Sequence, residues 1–212
     1  MTRDDELMAR ALALAERHRG RTAPNPIVGC VIAGARGDVL AEGAHAGPGQ
    51  RHAEIVALDR LGGRARGATM YVTLEPCTHH GRTPPCAPVV VGSGVARVVI
   101  GSLDPVPGHG GGAAALRRAG IRVDRALIAA CDAANRPFFT WAMYQRPAFT
   151  LKAAITLDGK IATVAGQSKW ITGEDARDDV HRLRDRHDGV LVGIGTVLAD
   201  DPRLGARLPR AR

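Results

Sequence analysis

No apolar run in these 212 residues is long enough to cross a membrane as a helix. The N-terminus carries Asp4, Asp5 and Glu6 and so lacks the basic-then-apolar pattern of a secretory leader. These two absences give the expectation of a soluble, cytoplasmic protein. Aromatic residues are only 3% of the chain, and lysine is nearly absent. The formal charge of +8 rests on arginines scattered without a basic run. A nucleic-acid surface needs clustered cations and aromatics that stack on bases, so neither nucleic acid nor membrane is expected as a partner. The arginine bias matches GC-rich coding, and an anionic small molecule fits it too.

Cysteine is also sparse, at four residues. Nothing points to secretion, so disulfides are not expected. Cys30 lies in the apolar run 27–33 and Cys131 in an alanine-rich helical stretch, and both read as core packing. Cys77 and Cys86 read as metal ligands. His52-Ala53-Glu54 precedes Glu75-Pro76-Cys77, and Cys86 follows an eight-residue spacer, Thr78–Pro85. Imidazole and two thiolates suit Zn²⁺, and three protein ligands leave a fourth position for water. Zinc lowers the pKa of bound water from about 15.7 to about 7. Glu54, close by but not a ligand, suits a proton shuttle. The bland alternative is a closed structural site with His79 or His80 as fourth ligand, but such a site has no use for Glu54.

Apolar periodicity predicts a helix over 3–19, a hairpin of strands over 27–33 and 39–45, and a helix over 52–61. Strands over 68–74, 96–101 and 121–124 then alternate with helices over 85–93 and 113–119. A helix over 126–139 is expected to stop at Pro137. This is an α/β sandwich around one mixed sheet. Near residue 146 the texture changes. Strands are predicted over 148–155 and 189–195, with a turn at Leu157-Asp158-Gly159-Lys160 and a polar helix over 174–186. Domains are therefore set at 1–146 and 147–212.

The motif resembles the zinc nucleobase deaminases, whose signature is H-x-E followed by P-C-x-x-C. The resemblance becomes narrower through Thr22-Ala23-Pro24-Asn25-Pro26, Val28-Gly29-Cys30-Val31-Ile32 and the run Tyr71–Cys86. With its long spacer, this set is similar to the bifunctional riboflavin-biosynthesis deaminase/reductase family. That resemblance implies a cytidine-deaminase-like three-layer sandwich followed by a partial dihydrofolate-reductase-like α/β domain. It implies hydrolytic deamination of 2,5-diamino-6-ribosylamino-4(3H)-pyrimidinone 5′-phosphate. His52, Cys77 and Cys86 would hold Zn²⁺, Glu54 would be the catalytic acid/base, and Asn25, His45 and Arg82 would meet the substrate. A guanidinium fork suits a phosphate.

Leu151-Lys152-Ala153-Ala154, Thr156–Ala162, Trp170-Ile171-Thr172 and Asp200–Leu204 resemble the start of the family's NADPH-dependent reductase. By that resemblance Ala154, Trp170, Thr196 and Asp200 would meet NADPH, and Ser168, Arg184, Leu204 and Arg207 the substrate. No G-x-G-x-x-G fingerprint supports a nucleotide site independently. The expectation is an incomplete, inactive reductase half, with exposed apolar edges that favour a homo-oligomer. The segment Asp104-Pro105-Val106-Pro107 followed by Gly108-His109-Gly110-Gly111-Gly112 departs from the family's Asp-Pro-Asn-Pro and reads as a loose loop. Two other readings stay open: a zinc deaminase of another purine or pyrimidine, and a non-catalytic zinc-binding remnant.

Overall fold

The computed structural model describes residues 2–209 and 211. The chain divides into two units, the first ending at Ala148 and the second starting at Phe149. In the first, helix α1 (Arg3–Glu16) opens with a capping box. The Thr2 hydroxyl accepts from the Asp5 N–H, and the Asp5 carboxylate accepts from the Thr2 N–H. Strands β1 (Gly29–Ala33) and β2 (Val39–Ala44) form the expected hairpin. Then come α2 (Ala53–Asp59), β3 (Thr69–Leu74), α3 (Cys86–Gly92), β4 (Arg97–Ser102), α4 (Gly112–Arg118), β5 (Arg122–Arg125) and α5 (Ile128–Tyr144).

The sheet order is β2-β1-β3-β4-β5. β1 pairs antiparallel with both β2 and β3, while β3, β4 and β5 run parallel. The three central strands are buried almost throughout, which is why they read as continuous apolar runs. Alternation along them divides the core in two. Cys30, Ile32, Met70, Val72, Val98 and Ile100 pack with α2, α3 and α4. Val31, Tyr71 and Val99 pack with α1 and with Cys131 of α5. The result is a three-layer sandwich. Cys30 and Cys131 are both fully buried, and all four cysteines are free.

Pro137 does not end α5, which runs on to Tyr144. Pro137 lies on an exposed face, and so does Ala133, whose carbonyl loses its helical donor and can turn to water. Buried Asn135 anchors the helix on one side of the break, where its side chain exchanges two hydrogen bonds with the Ile27 backbone. On the other side Phe139 is packed against the core.

The second unit contains α6 (Glu174–Arg186) and α7 (Ile194–Asp200). Acidic Glu174 and Asp175 in the first turn of α6, and basic Arg184 and Arg186 in the last, complement the helix dipole. The predicted turn forms, with Gly159 at φ +78°. The strands predicted over 148–155 and 189–195 do not form, and α7 starts inside the second. A strand needs a neighbour to take its backbone hydrogen bonds, and the described residues of this unit supply none. No helix among the described residues is long and apolar enough to cross a membrane.

Candidate active site

His52 is the N-cap residue of α2, and Glu54 lies in that helix's first turn. Cys77 follows β3 by three residues, and Cys86 is the first residue of α3. Strand end and helix starts therefore converge at one rim of the sheet. The His52 Nδ1 atom lies 3.1 Å from Cys86 Sγ and 3.6 Å from Cys77 Sγ, and the Cys86 N–H donates to Cys77 Sγ at 3.3 Å. The three ligand atoms lie within 4.8 Å of one another. Tetrahedral zinc, with Zn–N and Zn–S bonds of about 2.0 and 2.3 Å, spaces its nitrogen and sulfur ligands about 3.5 Å apart. The donor set and its spacing fit that ion. Neither His79 nor His80 joins the cluster, so the closed four-ligand alternative gains no support.

His52 Nε2 lies 3.0 Å from the Thr83 hydroxyl. That contact fixes the ring with Nδ1 toward the sulfurs, as outer partners of metal-ligating histidines do. Thr83 was not among the residues expected from sequence. Its one visible signal is its place in the spacer, three residues before Cys86.

Glu54 is only 3% exposed, and burial raises its carboxyl pKa. Hydrogen bonding from the Cys86 thiol, aided by His52 and the Cys86 backbone N–H, holds Cys77 far below the usual thiol range, at about 4. Cys86 moves the other way, through its hydrogen bond to Cys77, burial and the nearby Glu54.

A cavity of about 250 Å³ opens over the cluster. Asn25, His45, Arg82, Glu54, His52 and Cys77 all line it. His45 is buried, not an exposed polar residue, and burial lowers its pKa. Its Nδ1–H donates to the Arg51 carbonyl at 3.2 Å, so Nε2 is the acceptor and takes a hydrogen bond from the Asn25 amide at 3.0 Å. His45 thereby holds Asn25 on the cavity wall. Arg82 is exposed at the mouth. Phe138, Asp104, His79 and His109 also line the cavity and were not expected there.

The loop after Asp104 is not loose. The Glu75 carboxylate accepts from the backbone N–H groups of Asp104, Gly111 and Ala113. At Gly112 a Cβ would meet the Pro76 carbonyl oxygen at 1.9 Å. Gly112, and Gly110 against the Asp104 carbonyl oxygen, allow this close backbone approach.

The positions expected to serve a reductase are mostly exposed. Trp170 is 73% exposed, with the Arg177 guanidinium 4.6 Å from its ring centroid. Ser168, Thr196, Asp200 and Arg207 are exposed, while Ala154, Arg184 and Leu204 are half-buried. Lys169 Nζ lies 3.7 Å from Asp200, and Arg184 donates to the Arg203 carbonyl.

The mixed five-stranded sheet, with a His-Cys-Cys cluster and a buried glutamate at its rim, defines a cytidine-deaminase-like domain. Residues 1–102 match the cytidine and deoxycytidylate deaminase zinc-binding region, and residues 147–212 match the RibD C-terminal domain. The riboflavin biosynthesis protein RibD of Actinobacillus pleuropneumoniae is 49% identical over 211 residues, covering 99% of this chain and 56% of that protein. Its counterpart from Aquifex aeolicus is 48% identical, over 96% of this chain and 58% of that protein. A diaminohydroxyphosphoribosylaminopyrimidine deaminase/5-amino-6-(5-phosphoribosylamino)uracil reductase from Thermotoga maritima superposes with a TM-score of 0.91 at 44% identity, over 99% of this chain and 61% of that one. The chain is similar to RibD proteins along almost its whole length, and it spans a little over half the length of these relatives.

Proposed function

We propose that the first unit is a zinc-dependent deaminase acting on 2,5-diamino-6-ribosylamino-4(3H)-pyrimidinone 5′-phosphate in riboflavin biosynthesis. The observation that carries this reading is the buried Glu54 carboxylate beside the His52, Cys77 and Cys86 cluster, inside a cavity large enough for a base. When bound, zinc would supply hydroxide at neutral pH. The protein's own part is positioning and proton transfer. His52, held by Thr83, and the two cysteines would hold the ion. Glu54 takes a proton from the attacking water and passes it to the departing amine; a carboxyl with raised proton affinity suits both transfers. Asn25, fixed by His45, meets the polar edge of the ring, and Arg82 meets the phosphate.

By the same family match, residues 147–212 form the start of an NADPH-dependent reductase. Ala154, Trp170, Thr196 and Asp200 are the proposed cofactor positions, and Ser168, Arg184, Leu204 and Arg207 the proposed substrate positions. Four free thiols suit a reducing compartment, which supports a cytoplasmic setting.

Glu54→Gln tests the deaminase reading. Zinc content is expected to stay near one per chain while ammonia release falls by at least about 10²- to 10⁴-fold. Wild-type turnover by the variant would sink the catalytic role. Faster turnover of cytidine or guanine than of the phosphorylated diaminopyrimidine would favour a different deaminase. No turnover of any of them by the zinc-loaded wild type would favour a remnant.

A further inference from the structure

One cluster in the cavity takes no part in the proton chemistry. The His79 and His109 rings stack with centroids 4.0 Å apart and planes 20° apart. Both line the cavity, as do Arg82 and Asp104. The His79 Nδ1 atom is buried without a hydrogen-bond partner, and such an atom calls for one. Two parallel imidazoles at this spacing present neighbouring N–H donors, which suit two oxygens of one tetrahedral anion.

The carboxylates nearby already have backbone partners. Both Glu75 oxygens are engaged by backbone N–H groups, and Asp104 Oδ1 accepts from the Val106 N–H. Position is built in as well. Glu75 binds the loop on both sides of His109, the Thr78 hydroxyl donates to the Gly110 carbonyl at 3.0 Å, and the His109 N–H donates to the Val106 carbonyl. His109 belongs to the glycine-rich segment that departs from the family pattern.

We infer that His109 is a specificity-determining residue of this chain: stacked on His79 beside Arg82, it forms an anion-binding end of the cavity for a sugar phosphate, and Glu75 positions it. The inference rests on the proposed use of a phosphorylated pyrimidine.

The test uses the zinc-loaded 212-residue chain. Ribose 5-phosphate and ribose are the probes in calorimetry. The paired kinetic substrates are the phosphorylated diaminopyrimidine and its dephosphorylated form. His109→Ala is expected to weaken ribose 5-phosphate binding about tenfold, the size of one charge-assisted hydrogen bond. The preference for the phosphorylated substrate should fall by a similar factor. His109→Gln, which keeps an N–H donor, should recover part of the loss. Glu75→Gln should weaken the same probe, and combining it with His109→Ala should add nothing, because it acts through the same ring.

Equal ribose 5-phosphate affinity in wild type and His109→Ala overturns the subsite, and additive losses in the double variant overturn the role of Glu75. If ammonia is released equally from both substrates, the subsite fails and deamination stands. If ribose 5-phosphate binding depends on His109 but no ammonia is released, deamination fails and the subsite stands.

Discussion

Gly43 in β2 is where one methyl group should move the active site. A Cβ added there would meet the Ala53 carbonyl oxygen at 2.2 Å, the Ala57 nitrogen at 2.6 Å and the Val56 Cβ at 3.1 Å. Ala53 lies between His52, the proposed metal ligand, and Glu54, the proposed acid/base. Ordinary contact starts near 3.4 Å, so α2 must retreat from the sheet by about 1 Å. Overpacking of this kind costs about 1–3 kcal/mol, offset by up to about 1 kcal/mol because alanine loses less backbone entropy than glycine. Net destabilisation in Gly43→Ala should be about 1–2 kcal/mol. The larger effect is on the site, since a 1 Å misplacement can cost about 10²-fold in rate and metal ligands tolerate only about ±0.2 Å. Ammonia-release kcat/KM, zinc content per chain and the urea midpoint would be measured together. Gly92→Ala is the control: it is exposed, helical and meets nothing within 4 Å. Wild-type kcat/KM and an unshifted midpoint in Gly43→Ala would refute the argument that the sheet sets the position of α2.

Two further perturbations follow from buried or half-buried polar contacts. Asn135→Leu strands the Ile27 N–H and carbonyl in the core, each 2.9 Å from its present partner, and should lower stability by about 2–5 kcal/mol; a urea midpoint within error of wild type would show that these groups find other partners. Elsewhere in the first unit Arg97 grips Asp4 through two bonds and Asp124 through a third, and the Tyr71 hydroxyl donates to Asp4. The Arg97 guanidinium holds the Asp4 carboxyl below its ordinary 3.8, so this stabilisation is full above that value and is lost as pH falls through the depressed one. Asp4→Asn should therefore cost about 1 kcal/mol in urea unfolding at pH 7 and progressively less as pH falls below 3.8, and a cost that does not shrink would refute the linkage.

The candidate metal cluster is legible because its chemistry is written in residue type. A histidine two residues before a glutamate, and cysteines flanking a proline-rich spacer, have few other uses. The central strands were legible because burial on both faces removes polar residues altogether. What stayed hidden depends on neighbours distant in sequence. Thr83 and Glu75 look like ordinary spacer and strand-end residues until the fold sets one against His52 and the other beneath the 104–113 loop. Gly110 and Gly112 read as loose because a glycine required by close backbone approach is spelled like one left free. Pro137 was read as a stop on local grounds, while Asn135 and Phe139 hold the helix through it. The apolar run 189–195 has strand composition, but pairing is a property of two segments, and composition describes one.

The electrostatics of the cluster tie these pieces together. Three acids, the half-buried Cys77 and the buried Cys86 and Glu54, share one rim with the His52 imidazole. Without a cation their charges cannot all be carried at once. Cys77 takes the negative charge, helped by the Cys86 thiol and His52, while Cys86 and Glu54 are driven toward their protonated forms. A divalent cation reverses that order, because it is the largest local charge and ionises a coordinating thiol outright. Both sulfurs can then be thiolates. Glu54, outside the three-residue cluster, would be left free to exchange a proton. On the proposed reading the two sulfurs act as ligands and the buried Glu54 as acid/base, a division that follows from placing His52 and Glu54 at the start of a helix pressed against Gly43.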